Sequence, residues 1–411
     1  MPIRLLRQAL SDQQPARMWR EQPLKQQYDV VIIGGGAHGL ACAYYLAEEH
    51  GITEVAVLEK RYIGSGGSGR NTTIIRSNYL TPEGVRFYDE SVKLYEQMAA
   101  DLEYNVMFSQ RGHLTLAHND ASLRVMRRRA QVNQLQGVDS RVIGPAEIHA
   151  LCPWLDVSDH PRFPILGALY HPPGGIIRHD AVVWAYAHQA DKRGVHLHQL
   201  TTATGILVEN GRVTGVQTTR GPIRTGTVLN ATAGWCSTVA DMAGVSLPVT
   251  TYPLQACVTE ALKPFLDVIV VSGSLHVYVS QSDRGELVMG AAVDPFASYS
   301  MDGSLSFVEG VAGHILELFP ALHHVKILRQ WAGLCDMTPD FSPIMGFTPV
   351  EGFLVDVGWG TYGFKASPIS GKMMAELIAT GRTPDLIYPF RLSRFGEHDL
   401  VGEKGAASVG H

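Results

Sequence analysis

Cysteine is scarce in this chain: five residues in 411, Cys42, Cys152, Cys236, Cys257 and Cys335, odd in number, widely spaced and without a CxxC pair. A disulfide framework and a cysteine-based metal cluster have no local support, so each thiol is expected as a small core residue and no metal site is expected. No apolar run approaches the roughly 20 residues that a bilayer-spanning helix needs. Residues 1–27 carry Arg4, Arg7, Arg17 and Arg20 but no apolar stretch of the kind a secretory signal requires. These absences give the expectation of a cytoplasmic protein with no membrane partner. Positive charge is not in excess either, because a net charge of -5 leaves no broad basic surface for nucleic acid. The short basic run of Arg124 and Arg127 to Arg129 is expected on the solvated face of a helix. No Ser-His-Asp arrangement can be assembled from the scattered serines and acids, so hydrolysis ranks low.

What the chain does have is length and glycine. It is long enough for two packed domains, and its 42 glycines promise tight turns and close backbone approaches. Residues 28–34, YDVVIIG, read as a buried strand; residues 37–49 switch to helical spacing; residues 54–59, EVAVLE, read as a second strand. That order is a βαβ unit, with strands apolar on both faces and therefore central in a sheet. Helices are expected over 82–102 and 121–136. A hairpin is expected over 204–219 around Asn210 and Gly211, an apolar strand over 225–233, and an antiparallel pair around residues 283–285. A last short strand over 352–357 precedes the segment GWGTYGFK and a helix starting near Ser370.

The expected fold class is α/β: a Rossmann-like nucleotide-binding domain interleaved with an antiparallel-sheet substrate domain. The division is a 1–27 arm, a discontinuous nucleotide domain of 28–110, 175–250 and 330–390, a substrate or interface domain of 111–174 and 251–329, and a 391–411 tail. Between the first strand and helix, Gly34, Gly36 and Gly39 complete GxGxxG in GGGAHG, and Glu59 ends the next strand. The glycines permit a tight turn against a pyrophosphate, and the helix N-terminus favours its negative charge. Glu59 can accept from ribose hydroxyls and would repel a 2′-phosphate, which argues against NADP. The motif indicates an adenine dinucleotide without separating FAD from NAD.

Five longer segments carry more information: RNTTIIRSNYL (70–80), FSQRGHL (108–114), HPPGGIIRHDAVVWA (171–185), HVYVSQ (276–281) and DVGWGTYGFKASP (356–368). On these the chain resembles the amine-oxidising flavoproteins of the glycine oxidase and sarcosine oxidase group. Over nearly its whole length it resembles the beta subunits of heterotetrameric sarcosine oxidases. The resemblance implies oxidative demethylation of sarcosine through noncovalent FAD, with FMN as a second flavin relaying electrons to oxygen. The products implied are glycine, hydrogen peroxide and either formaldehyde or 5,10-methylenetetrahydrofolate. It also implies alpha, gamma and delta partner subunits, with NAD, zinc and tetrahydrofolate sites in those partners or the assembly.

Carried onto matching positions, the resemblance makes Arg76 and Lys365 the carboxylate anchors, the planar fork of one and the point charge of the other suiting a small amino acid. It makes His179 the covalent FMN link, a task that needs a neutral nucleophilic nitrogen, with Arg178 beside it as a charge partner. His171 is the first alternative link. The remaining cofactor candidates are His38 and Lys60 near the nucleotide turn, Arg70, Asn71 and Thr72, and the glycines Gly358, Gly360 and Gly363 expected against the flavin ring. His113 and His276 are further polar candidates, the latter for the substrate pocket. Two alternatives remain open: a related dehydrogenase of proline, dimethylglycine or an opine, and a nonenzymatic flavoprotein scaffold.

Overall fold

The computed structural model describes residues 17–403, without the side chains of Ala291 and Ala292. Its first layer is a six-stranded sheet in the order Ile344–Phe347, Phe353–Val357, Val228–Asn230, Val30–Ile33, Val55–Leu58, His196–His198. All neighbours are parallel except the first two strands. The VVII strand is central, and its period of two sorts its residues between two cores. Val30 and Ile32 face one hydrophobic cluster with the helix Ala37–His50. Val31 and Ile33 face another, shared with the hairpin strands Ala203–Glu209 and Arg212–Thr218. The Asn210-Gly211 turn has both residues at positive φ, as a type I′ hairpin requires.

The second layer is an eight-stranded sheet: Ile327–Met337, Thr250–Ala261, Glu286–Val293, Val277–Gln281, Ile269–Ser272, His113–Ala117, Gly167–His171, Arg141–Ile143. It is antiparallel apart from one parallel pair, Ile269–Ser272 with His113–Ala117. The helix Leu305–Leu318 buries Phe307, Val311, Ile315 and Leu318 on its core. The sequence boundary at 329/330 falls inside the strand Ile327–Met337, and the chain re-enters the parallel sheet at Ile344. A small sheet of Ile74–Ile75, Gly175–Ile176 and Ser109–Gln110 follows the first crossover and delivers Arg76 at its end.

Two helices differ from expectation. The last long helix runs Gly363–Thr380 and does not wait for Ser370. Pro368 suggests a stop, because it lacks the N–H that would bond Phe364. Here the Phe364 carbonyl instead accepts from the Tyr95 hydroxyl at 2.6 Å, so the helix continues through the proline. Lys365 therefore stands in the first turn of that helix. In the helix Asp120–Leu135, Arg124, Arg127 and Arg128 are exposed, but Arg129 is buried. It shares the inward stripe of Met126, Ala130 and Asn133, because a helix returns every 3.6 residues.

Residues 391–403 are held closely. Arg394, fully buried, donates in bidentate fashion to Asp340 at 2.8 and 2.9 Å, and Glu403 is buried against the start of the helix Pro82–Asp101. All five cysteines are buried free thiols. Among the described residues no group of His, Cys, Asp or Glu side chains could hold a metal ion, and no helix is long and apolar enough to cross a membrane.

Candidate active site

A long cleft opens at the carboxyl ends of the parallel strands, where Ile33 gives way to Gly34, Leu58 to Glu59 and Asn230 to Ala231. This is where open α/β sheets bind ligands. The opposite wall comes from the other sheet, through Leu254, Ala256, Tyr278 and residues 333–336.

At one end lies the glycine turn. Gly34 has φ +120°, and a Cβ there would overlap the Ala231 carbonyl oxygen. Gly36 faces the cleft, where a Cβ would meet only the Ser68 hydroxyl at 3.0 Å. Gly39 does not line the cleft; a Cβ on it would overlap the Gly34 carbonyl oxygen, so this glycine lets helix and strand pack. No acidic residue occupies the first turn of the helix Ala37–His50. Glu59 accepts from the N–H groups of Gly35 (3.1 Å) and Arg61 (2.8 Å) and from the Ser65 hydroxyl (3.3 Å), which fixes its carboxylate at the cleft wall. Lys60 sits 3.5 Å over the Trp235 ring; burial lowers its pKa despite Glu59 beside it.

The donor set fits an adenine dinucleotide: a side-chain-free path at Gly34 and Gly36, a helix N-terminus without acids, and a carboxylate one strand away. Further along, Arg70 donates to the Ser65 and Gly66 carbonyls, while Asn71 bonds the Ser68 carbonyl and the Thr73 N–H. Thr72 lines the cleft together with Tyr278 of the other sheet. These contacts make a tight loop whose side chains are largely used in holding it.

His38 lines the cleft with both ring nitrogens engaged, Nδ1 with Asp356 (3.1 Å) and Ser370 (3.2 Å), Nε2 with the Gly363 carbonyl (2.8 Å). Burial opposes its charge, but the Asp356 carboxylate and the Gly363 carbonyl outweigh burial and raise its pKa. It ties the nucleotide helix to the last helix. Gly358 and Gly360 have φ +74° and +52°, and both turn around Asp336: Gly358 N–H donates to its carboxylate at 2.6 Å, Gly360 N–H to its carbonyl at 3.0 Å. Gly360 and Gly363 line the cleft; Gly358 does not. Burial pushes the Asp336 carboxyl up to about 6, against its own backbone hydrogen bonds.

At the other end, Arg76 and Lys365 both line the cleft and are buried. Arg76 Nη1 donates to the Asn78 carbonyl (3.2 Å) and side-chain oxygen (2.9 Å), and its guanidinium lies 4.6 Å from the Tyr79 ring centroid. Lys365 Nζ donates to the Thr361 carbonyl at 3.2 Å. Burial, reinforced by the Arg76 charge, brings the Lys365 pKa down to about 7. His113 lines the same cleft, held far below the usual histidine value by burial and then by Arg76, so it stays neutral. The result is an apolar-walled pocket with more positive than negative charge.

His179 does not line this cleft. It begins the helix His179–Lys192, half-buried, and its ring makes no hydrogen bond among the described residues. Burial lowers its pKa, Arg178 and Arg329 add to the lowering, and Asp180 opposes it. Arg178 grips Asp180 through Nε (3.1 Å) and Nη2 (2.6 Å). His171 is fully buried, with Nδ1 against the Asp139 carbonyl (2.8 Å) and Nε2 against the Ser77 N–H (3.2 Å), so neither nitrogen is available for a covalent link. His276 is exposed in a turn and lies in a separate shallow hollow with Tyr252 and Phe341, not in the cleft. Asp336 and Tyr278 carry no assignment in the sequence; Arg129, expected on a solvated face, is buried, and its helical phase was the signal for that.

The family model for FAD dependent oxidoreductases matches residues 29–377. The chain is 50% identical over 390 residues to the sarcosine oxidase subunit beta of Rhizobium meliloti (strain 1021), covering 95% of this chain and 94% of that one. It is 48% identical over 395 residues to the protein of that name from Rhodobacter capsulatus, covering 96% and 95%. Among solved structures, L-proline dehydrogenase from P. horikoshii matches with a TM-score of 0.87 at 30% identity, covering 92% of this chain and all of that one. The chain belongs to the FAD dependent oxidoreductases and, within them, to the sarcosine oxidase beta-subunit family.

Proposed function

We propose that the cleft oxidises sarcosine, with the cofactor along the glycine turn and Glu59 and the substrate carboxylate between Arg76 and Lys365. The observation that carries this reading is the buried pocket of two convergent cations at the far end of a dinucleotide cleft. A buried excess of positive charge is costly unless an anion completes it. A small amino acid brings a carboxylate of the right sign, and its apolar methyl suits the remaining wall. Bound FAD supplies the two-electron acceptor for the carbon–nitrogen bond.

The chain's own residues hold and orient. Gly34 and Gly36 leave room for the pyrophosphate, and Glu59 accepts from the adenosine ribose. His38 and Asp336 fix the Gly358-to-Gly363 turn against the ring position, with Lys60, Arg70, Asn71 and Thr72 along the cofactor wall. Arg76 brings its positive charge to the carboxylate, and Lys365, its pKa brought down to about 7 chiefly by burial, changes charge near neutral pH. The neutral, partly exposed imidazole of His179 suits the proposed covalent FMN link, whose chemistry is electron transfer onward to oxygen. The remaining expectations are glycine, hydrogen peroxide and formaldehyde or 5,10-methylenetetrahydrofolate as products, and alpha, gamma and delta subunits as partners. They are part of the same proposal.

The test is anaerobic addition of sarcosine to the purified assembly, followed by denaturation. Sarcosine should bleach the flavin, and denaturation should release FAD while FMN stays on this chain. A flavin that sarcosine leaves oxidised would overturn the reading. The likeness to L-proline dehydrogenase keeps a second reading in the same experiment. Faster bleaching by proline would make this a cyclic secondary-amine dehydrogenase using the same anchors.

A further inference from the structure

His113 opens the strand His113–Ala117 on the wall opposite the glycine turn, and it lines the cleft although it is only 2% exposed. Its cross-strand neighbour is His171, whose Nε2 takes the Ser77 N–H at 3.2 Å, directly after Arg76. Along its own strand the period of two puts Thr115 on the same face. Thr115 stands opposite Val271, itself opposite Tyr278, and both of these line the cleft. Gly174 lets the strand begin this close, since a Cβ there would lie 2.7 Å from the His113 Cβ. The ring therefore sits in the sheet beside the Arg76 segment, on the face that turns to the cleft.

The two ring nitrogens differ. Nδ1 lies 3.5 Å from the Thr115 hydroxyl, the long limit of a hydrogen bond. Nε2 makes no hydrogen bond among the described residues, yet it is not one of the buried polar atoms sealed off without a partner, so it opens on the cleft. Burial, then Arg76, His171, Arg129 and Lys365, all hold the pKa down, and the ring is neutral. A neutral imidazole has one N–H and one lone pair. With the proton on Nδ1, toward Thr115, the Nε2 lone pair faces a pocket of positive potential; the reverse tautomer would aim an N–H at it. A buried acceptor without a partner costs free energy until a ligand supplies the donor.

We propose that His113 is a substrate-binding residue whose Nε2 accepts the amine N–H while Arg76 and Lys365 hold the carboxylate, so that the site selects secondary amino acids over N,N-dialkyl ones. This rests on the reading of Arg76 and Lys365 as the carboxylate anchors. An amine that reacts unprotonated keeps a single N–H when it is secondary and none when it is tertiary. A fixed acceptor orients that N–H, and with it the carbon–hydrogen bonds next to the nitrogen. A site built around a hydrogen bond also rejects an analogue without the donor, because the acceptor is then left buried and unpaired.

The test uses the FAD-loaded assembly and three nonreacting acids titrated against the flavin absorbance. Pyrrole-2-carboxylate carries an N–H next to its carboxyl-bearing carbon, and 2-furoate is the matching ring with oxygen in that place. Methoxyacetate, sarcosine with an ether oxygen in place of the amine, reads the anchors alone. The parent should bind the pyrrole about tenfold more tightly than the furan. His113→Leu should shrink that preference to about twofold or less and leave the furoate and methoxyacetate Kd within roughly threefold of the parent values. A parent without the preference, a preference that persists in folded His113→Leu, or equal losses for all three acids would overturn the proposal. If His113→Leu does not fold, His113→Asn decides, because its amide replaces Nδ1 toward Thr115 but does not reach the position of Nε2. The preference should vanish there too, and its survival would be equally fatal. Arg76→Ala, measured alongside, separates the two readings. Unchanged methoxyacetate binding there removes the anchor itself, whereas weakened binding there with an intact pyrrole preference in the His113 variants removes only the role of His113.

Discussion

The two ends of the cleft are built by opposite means. The nucleotide end is made of backbone: Gly34 and Gly36 work by having no side chain, and the strand, turn and helix that shape it are contiguous in sequence. The end proposed for the substrate carboxylate is made of side chains brought from afar, with Arg76 after a two-residue strand, His113 on the other sheet and Lys365 in the last long helix. A contiguous turn tolerates little change and forgives none at its closest approaches. A pocket assembled from dispersed charges loses function piecemeal while the fold survives. The comparison predicts that substitutions at the first end act on folding or cofactor retention and those at the second on substrate alone.

The largest effects should appear within the turn itself and should split it in two. Gly39→Val places a side chain onto the Gly34 carbonyl and Ile32, an overpacking that costs about 1–3 kcal/mol or more, so thermal denaturation should show a lowered Tm and poor yield. Gly36→Asp meets only the Ser68 hydroxyl and should fold with a Tm near the parent's. Its carboxylate lies where the pyrophosphate belongs, so FAD retention on gel filtration should fall at least about tenfold. Equal FAD affinity in folded Gly36→Asp would break the assignment of this end.

At the other end, Arg76→Ala and Lys365→Ala should each retain FAD and lose substrate. Removing one buried charged contact costs about 2–5 kcal/mol, so anaerobic reduction by sarcosine should slow by roughly thirtyfold or more at subsaturating substrate. Stopped-flow absorbance measures it, and normal reduction in both variants would dissolve the pocket. A smaller effect comes from pH. Lys365 has its pKa lowered to about 7, chiefly by burial, so it is charged below that value and neutral above it. An anion binds the charged form, and its arrival raises the lysine pKa. The methoxyacetate Kd should therefore be flat below about pH 6 and rise by up to about tenfold per unit above pH 7, with one proton taken up on binding. Lys365→Arg should abolish the slope, because arginine stays charged throughout. A slope that survives in Lys365→Arg would belong to another group, Asp336 first, whose carboxyl is pushed up to about 6.

The same contrast explains what could be read from the sequence. The βαβ unit, the hairpin at Asn210 and the helix Pro82–Asp101 rest on local signals of period and turn chemistry, and they stand where those signals put them. The helix at Gly363 was hidden by Pro368, because its compensating partner, the Tyr95 hydroxyl, is some 270 residues away in sequence. Arg76 and Lys365 were legible only through resemblance; neither carries a local pattern that says carboxylate. Arg129 was read as one of a solvated run because adjacent arginines look alike until helical phase separates them. Asp336 had no signal at all, since a buried acid that shapes a glycine turn is defined by what folds around it. His38 illustrates the reverse: its place in the glycine turn suggested the cofactor, while its ring is engaged by Asp356, Ser370 and Gly363.

The smallest effect on the cleft should come from His179→Ala, which removes the proposed FMN link. His179 is absent from the cleft lining, its ring makes no hydrogen bond among the described residues, and it begins a helix whose buried residues start at Ala181. Loss of its ring should leave fold, FAD content and the methoxyacetate Kd unchanged. Burial, with Arg178 and Arg329, favours its neutral form, the state in which a ring nitrogen can act as a nucleophile, and alanine offers nothing in its place. Mass measurement of the denatured chains should show an FMN adduct on the parent and none on His179→Ala. Anaerobic sarcosine should still bleach FAD at the parent rate, whereas reoxidation by oxygen should slow. An FMN mass that persists would place the link elsewhere, but not at His171, whose two nitrogens are taken by the Asp139 carbonyl and the Ser77 N–H. A fall in sarcosine reduction equal to that of Arg76→Ala would instead mean that His179 reaches the amine site, and the separation between the cleft and the second flavin would have to be redrawn.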